Sequence, residues 1–219
     1  MEIKIVRKVL EANEKLAAQI RKRNRRYGIT MFNIMSSPGS GKTSIIEQVL
    51  PKLKNEGYKI GVIEGDITSS LDAERMLKFD VPVSQINTEP FGGDCHLGSE
   101  VILPALEQLD SNLDIVFIEN VGNLVCPAEF DTGADFNIVV LSITEGEDKP
   151  LKYPLMFRVC DIAIINKIDL LPYLDVDLDV IKKNIKKIKP EIDIIPSSAK
   201  SKEGIYEVAS WIKIHLLKE

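Results

Sequence analysis

From Met31 onward, short apolar runs alternate with amphipathic stretches of helical period. Met31–Met35, Lys59–Ile63, Val81–Ile86, Ile115–Ile118, Asn137–Ile143, Ala163–Asn166 and Ile192–Ile195 are rich in aliphatic, largely β-branched residues, the pattern of strands buried on both faces. Between them, Lys42–Glu56, Leu71–Lys78, Leu97–Leu109, Val176–Lys189 and Gly204–Leu217 repeat apolar positions every three or four residues, which predicts helices, the first stopped by Gly57. This alternation predicts an α/β fold with a mostly parallel central sheet and helices on both faces. Ahead of it, Ile3, Val6, Leu10, Asn13, Ala17 and Ile20 form one mostly apolar stripe. That stripe predicts an amphipathic helix over residues 1–27 docked on a body formed by residues 28–219.

A chain of 219 residues fits a single α/β core. Its net charge is −5, but residues 1–26 carry nine Lys/Arg against three Asp/Glu, leaving +6 there and −11 on the remainder. The run Arg21–Arg26 reads as a solvated helix face, so neither nucleic acid nor a membrane surface is an expected partner. No apolar run approaches the ~20 residues that span a bilayer, and no signal-peptide core follows Met1-Glu2-Ile3-Lys4, so the expected location is the cytoplasm. Three cysteines, an odd number, exclude a disulfide framework and leave reduced thiols available for chemistry.

Ser36-Ser37-Pro38-Gly39-Ser40-Gly41-Lys42-Thr43, followed by Ser44, lies between a predicted strand and a predicted helix. This is the context of a phosphate loop, and Ser36 stands where the general pattern has its first glycine. Gly39 and Gly41 let backbone N–H groups turn toward phosphate oxygens, Lys42 bridges the outer phosphates, and Thr43 ligates Mg²⁺.

Asn166-Lys167-Ile168-Asp169 resembles the guanine-recognition motif of GTPases. An Asp carboxylate accepts two hydrogen bonds from guanine that adenine cannot supply, and leaving it unpaired penalises ATP. The Lys167 stem covers the purine ring, and Ser198-Ala199-Lys200 resembles the supporting loop at the guanine carbonyl. GTP is therefore the expected nucleotide. Glu64-Gly65-Asp66 and Glu119-Asn120-Val121-Gly122 follow two other strands, where carboxylates can reach the Mg²⁺ shell and the Gly122 N–H can sense the γ-phosphate. The latter segment resembles a branch of P-loop proteins that includes nickel-insertion and urease-accessory GTPases. The resemblance implies that Asp66 holds Mg²⁺ through water and positions the attacking water, with Asp72 and Glu119 as further magnesium candidates. Lys42, Asp66, Glu119 and Gly122 form the expected catalytic set. No arginine finger or catalytic glutamine is evident, which predicts slow turnover.

Cys95-His96 opens the helix predicted from Leu97, and Cys126 lies four residues beyond Gly122, before Pro127. Core packing explains these loop positions poorly, whereas two thiolates and an imidazole suit Ni²⁺ or Zn²⁺ and leave coordination positions for water or a second chain. Cys160 is expected in the core and His215 on the surface. Cys95-His96 as nucleophile and base is disfavoured, because adjacent helical side chains diverge and no orienting third group is evident.

Ser36–Thr43, Glu64–Asp66, Leu71–Met76, Cys95-His96-Leu97, Ile118–Pro127 and Asn166–Asp169 together resemble the HypB family, the GTPases that assist nickel insertion into [NiFe]-hydrogenase. The resemblance spans roughly residues 28–210. It implies a P-loop domain with an inserted metal site, a GTP-dependent homodimer, a transition metal on Cys95, His96 and Cys126, and work with a small nickel-binding accessory protein and the hydrogenase large subunit. Two departures stand out. Residues 1–30 contain no Cys or His where many relatives carry a nickel-binding stretch, and Gly98-Ser99 replaces the family's Asp-Ala after Cys-His-Leu. The expected function is a metallochaperone in which the nucleotide state gates metal release. A metal sensor without delivery, a urease-accessory GTPase and a small-molecule kinase are the competing readings.

Overall fold

The computed structural model describes residues 4–66, 71–89, 95–109 and 112–216, with side chains from residue 11 onward. The side chains of Ile3, Val6 and Leu10, the loop residues 90–94 and Leu217 lie outside the described residues. Seven strands form one sheet in the order β3-β2-β4-β1-β5-β6-β7. They are β1 (Thr30–Ser36), β2 (Ile60–Asp66), β3 (Val83–Asn87), β4 (Ile115–Glu119), β5 (Phe136–Ser142), β6 (Ile162–Asn166) and β7 (Asp193–Pro196). Every pairing is parallel, so all carboxyl ends lie along one edge. The order reverses at β1, flanked by β4 and β5, and such a switch point is where open α/β sheets bind ligands.

The helices are α1 (Lys4–Tyr27), α2 (Lys42–Asn55), α3 (Leu71–Leu77), α4 (Ser99–Gln108), α5 (Lys149–Lys152), α6 (Pro154–Val159), α7 (Leu178–Ile188) and α8 (Ile205–Ile214). Strand residues alternate between two covered faces. Ile115 and Phe117 of β4 pack with α2 and α8 around Phe32, Leu50 and Ile212. Val116 and Ile118 pack with α4 around Met31, Ile63, Ile102 and Ile20. A third cluster seats α6 and α7 on β5 and β6 through Met156, Phe157, Ile181 and Ile185. Each such fully buried side chain contributes about 2 kcal/mol, and a polar strand residue such as Asn33 is buried there with its amide hydrogen-bonded to Asn137.

The expected α1 stripe continues inward at Asn13, Ala17 and Ile20, all buried, while Lys22, Arg25 and Arg26 face solvent. Arg21 pairs with Asp131 at 2.6 Å and donates to the Ala134 carbonyl at 3.1 Å, tying α1 to the segment after Cys126. Three features depart from the sequence reading. β2 runs on to Asp66 rather than stopping at Ile63. α5, α6 and short 3-10 turns at 126–128, 143–145 and 168–173 appear where no helix was expected. These pieces are only three to six residues long, too short for a 3.6-residue period to show. Finally, α4 begins at Ser99, so Cys95 and His96 precede it instead of opening it; Gly98 holds an extended backbone, φ −90° and ψ 168°, that separates them from the helix. Among the described residues no helix is long and apolar enough to cross a membrane.

Candidate nucleotide and metal site

The loop after β1 takes the shape a phosphate cradle requires. Gly39 and Gly41 have φ of 74° and 101°, open to glycine at little cost, and the Asn166 amide occupies the space where a Gly41 Cβ would sit. Ser36 is absent from the positive-φ residues, so its position does not demand glycine. Instead, its hydroxyl donates to the Ser37 carbonyl at 2.6 Å and accepts from Lys42 Nζ at 3.1 Å. The buried ammonium thus points back along the loop. Ser40 Oγ donates to Glu145 Oε1 at 2.7 Å, and Glu145 also accepts the Ser142 N–H at 2.9 Å. Glu145 therefore braces the phosphate loop from the turn after β5; Ser142-Ile143-Thr144-Glu145 carries the capping-box pattern of that turn, but the contact with Ser40 is missing from the sequence reading.

Beside the loop lies a cavity of about 570 Å³ walled by Lys42, Thr43, Asp66, Asp72, Glu119 and Gly122 among others. Glu64 and Glu119 are register partners on β2 and β4, so their side chains project to the same side. With Asp72 they form three carboxylates whose ligand atoms lie within 4.8 Å of one another. Thr43 Oγ1 donates to Glu119 Oε1 at 2.6 Å, while Oε2 of both Glu64 and Glu119 is buried without a donor from the chain. Burial, then the Glu119 charge, pushes the Glu64 carboxyl up to about 11, and burial raises Glu119 against the pull of Lys42 and Thr43. Orphaned hard oxygens next to a hydroxyl suit Mg²⁺. Asp66 lines the same cavity but stands outside this three-carboxylate cluster. The sequence reading placed Glu64 among the carboxylates able to reach the Mg²⁺ shell but not among the named magnesium residues, because its partnership with Glu119 comes from strand register. Arg75 clasps Glu47 at 2.6 and 2.9 Å, Asp72 at 2.8 Å and Ser44 at 3.2 Å, which fixes Asp72 against the cavity.

At the other end of the phosphate loop, Asn166 ties three segments together. Its Nδ2 donates to the Ser40 carbonyl at 2.8 Å, and its Oδ1 accepts the Ala199 N–H at 3.2 Å. Lys167, left-handed at φ 66°, reaches the Gly39 carbonyl at 2.7 Å. Ser198 Oγ donates to Asp169 Oδ1 at 2.5 Å and so aims that carboxylate. Asn166, Lys167 and Asp169, with Gly41, Ser44, Ala199 and Lys200, line a cavity of about 390 Å³ that adjoins the phosphate cavity through Gly41, Ser44 and Lys167.

On the far side of the phosphate cavity, the turn after β4 carries Gly122 and Cys126. A Cβ on Gly122 would meet Pro38 at 3.1–3.2 Å, so the turn lies against the phosphate loop. Cys126 Sγ lies 2.7 Å from Cys95 Sγ, and their sulfurs and a His96 ring nitrogen fall within 4.8 Å of one another. His96 stacks on Phe130, centroids 3.8 Å apart, and its Nδ1 is buried without a partner. Asn123 Nδ2 donates to Cys126 Sγ at 3.8 Å. The hydrogen bond with Cys95 and burial push the Cys126 thiol up to about 11. All three side chains are half-buried. Such a set can bind a borderline metal with open positions, and metal must displace protons to enter. Cys160 is fully buried in the core as expected. His215 is not a free surface residue: its ring stacks on Trp211 at 4.0 Å and meets Phe136 at 4.9 Å, because it caps α8 one turn after Trp211, which packs against Phe136.

Known proteins resemble this chain in sequence and in fold. Residues 30–196 match the CobW/HypB/UreG nucleotide-binding domain. The hydrogenase maturation factor HypB of Azotobacter vinelandii is 43% identical over 212 residues, 96% of this chain and 69% of that protein. A probable hydrogenase maturation factor HypB of Methanocaldococcus jannaschii is 40% identical over 210 residues, 95% of this chain and 93% of that one. The crystal structure of HypB from Helicobacter pylori in complex with nickel superposes with a TM-score of 0.86 at 36% identity, covering 94% of this chain and 98% of that one. The chain belongs to the CobW/HypB/UreG family of nucleotide-binding P-loop proteins and, within it, to the HypB hydrogenase maturation factors.

Proposed function

We propose that the protein is a GTP-hydrolysing metallochaperone that carries a transition metal on Cys95, His96 and Cys126 and assists nickel insertion into [NiFe]-hydrogenase, with the nucleotide state gating metal release and dimerisation. One observation carries this reading: a single turn, Glu119 to Cys126, begins at the carboxylate cluster, passes Gly122 against the phosphate loop and ends at the thiol pair. Loss of the terminal phosphate relaxes such a turn and changes the spacing of the metal donors.

In this reading Asp169 and Lys167 hold guanine, Pro38–Ser44 cradle the phosphates, and Lys42 neutralises the outer ones. Thr43, Asp66, Asp72 and Glu119, joined by Glu64, would hold Mg²⁺, which supplies charge neutralisation on the phosphates. Asp66 positions the attacking water, and the Gly122 N–H follows the γ-phosphate. Turnover is slow because Arg75, the cation nearest this cavity on α3, is already committed to Glu47 and Asp72. Nickel is the cargo favoured by the likeness to the Helicobacter pylori HypB structure in complex with nickel, and Zn²⁺ fits the same donors. A second copy of the chain supplies ligands to the open coordination positions in the GTP state. A small nickel-binding accessory protein and the hydrogenase large subunit are the partners, and the cytoplasm is the setting.

Nickel-loaded protein mixed with apo large subunit tests the proposal. Nickel transfer should be several-fold faster with GTP than with a non-hydrolysable analogue. Equal transfer with both removes gating, and no transfer in any state reduces the protein to a metal-binding switch.

A further inference from the structure

Asn120 sits between Glu119 and the phosphate-sensing Gly122, is 1% exposed, and bonds through both its amide oxygen and its amide nitrogen. Oδ1 accepts the Val121 N–H at 2.9 Å within its own turn and the Leu97 N–H at 3.2 Å from the segment that carries Cys95 and His96. Nδ2 donates to Asn33 Oδ1 at 3.1 Å, and Asn33 in turn donates to Asn137 Oδ1 at 3.0 Å, so the carboxamide is anchored across β4, β1 and β5. Leu97 is held from its other side as well. Its side chain fills the space where a Gly65 Cβ would lie, one residue from Asp66 at the end of β2. The segment between His96 and Ser99 is therefore clamped between the two strand ends that border the phosphate cavity, and neither clamp involves a metal donor.

We infer that Asn120 is a positioning residue that ties the Cys95–His96 corner to the phosphate-sensing turn, so that a displacement of Gly122 moves all three metal donors together. Without this bond, the turn and the Cys95–His96 segment would be joined chiefly at the donors themselves, through the Cys95–Cys126 contact. The inference rests on the nucleotide-gated reading proposed above and adds the physical link that gating needs: one buried group bonded to both segments. A buried amide with both acceptor bonds made holds its partners in register, because releasing either N–H leaves a donor without water or protein to satisfy it.

The test uses Co²⁺ as the probe, read by its thiolate charge-transfer absorption, in GDP and in a non-hydrolysable GTP analogue. The unaltered protein should show dissociation constants that differ by roughly tenfold between the two nucleotide states. In Asn120→Ser the hydroxyl still reaches the Val121 N–H but is too short for Leu97, and the two constants should come within twofold of each other while binding remains measurable in both. If Asn120→Ser keeps the original ratio, the inference is overturned and the gating reading stands. A ratio of one in the unaltered protein instead removes the gating reading on which it rests. Hydrogen exchange of the unaltered protein decides the matter should the variant fail to fold. The Leu97 amide should exchange several-fold more slowly with the analogue than with GDP, and equal exchange overturns the assignment.

Discussion

The two sulfurs of Cys95 and Cys126 bring the account to its smallest scale. At 2.7 Å, with the Cys126 thiol pushed up to about 11, the pair keeps a proton throughout the physiological range. A metal must expel it, so affinity rises with pH below that value. Between pH 6.5 and 8.5, isothermal titration with Zn²⁺ should give a log K that climbs by one to two per pH unit, and a flat profile would contradict a dithiolate site. Cys126→Ala should weaken Zn²⁺ binding by roughly a hundredfold or more while moving stability by less than about 1 kcal/mol, since the residue is half-buried. The phosphate-loop, Asn166–Asp169 and Cys95-His96 patterns could be read from the sequence because each is a run of neighbours along the chain, and the structure brings Cys126 to the Cys95-His96 pair. Glu145 and Asn120 could not be read, because a lone Glu or Asn acquires meaning only from the distant backbone it meets.

Strand pairing explains what local pattern could not show. Glu64 sits opposite Glu119 because β2 and β4 pair in that register and because β2 extends past Ile63. A slip of one residue would send Glu64 to the other face. This pairing has a testable cost. Glu64 titrates near 11 in the fold and near 4.5 when unfolded, so the folded chain binds the extra proton. Its contribution is favourable below pH 4.5 and is lost progressively as pH rises toward 11. Glu64→Gln should therefore raise the melting temperature of nucleotide-free protein more at pH 8 than at pH 5, and should blunt the stabilisation that Mg²⁺ with GDP confers. An equal shift at both pH values would mean the carboxyl is not the buried titrating group. Seven strands were anticipated within a few residues, since continuous apolar runs mark strands covered on both faces. The start of α4 was misplaced because Leu97 continues the apolar period while Gly98 breaks the backbone.

For the whole molecule, the parallel sheet sets the Asn166–Asp169 cavity, the phosphate-loop cavity and the Cys95–His96–Cys126 corner along one edge, in that order, with α1 resting on the segment that follows Cys126. The α/β architecture was readable from strand and helix alternation alone. How the three stations adjoin was not, because it follows from the β2-β4-β1-β5-β6 order. A chain with three metal donors on a partly exposed corner is expected to complete its coordination with a second copy. Light scattering should report twice the monomer mass with GTP analogue and metal present, and monomer with GDP; monomer under both conditions would remove the shared site. The central claim is that the terminal phosphate and the metal report on each other, and coupling of this kind is reciprocal. The direct measurement is the metal dissociation constant in GDP and in a non-hydrolysable GTP analogue, paired with nucleotide dissociation constants with and without metal. The account predicts the same fold-difference, about five or more, from both directions, and metal affinities that are equal in the two nucleotide states would contradict it.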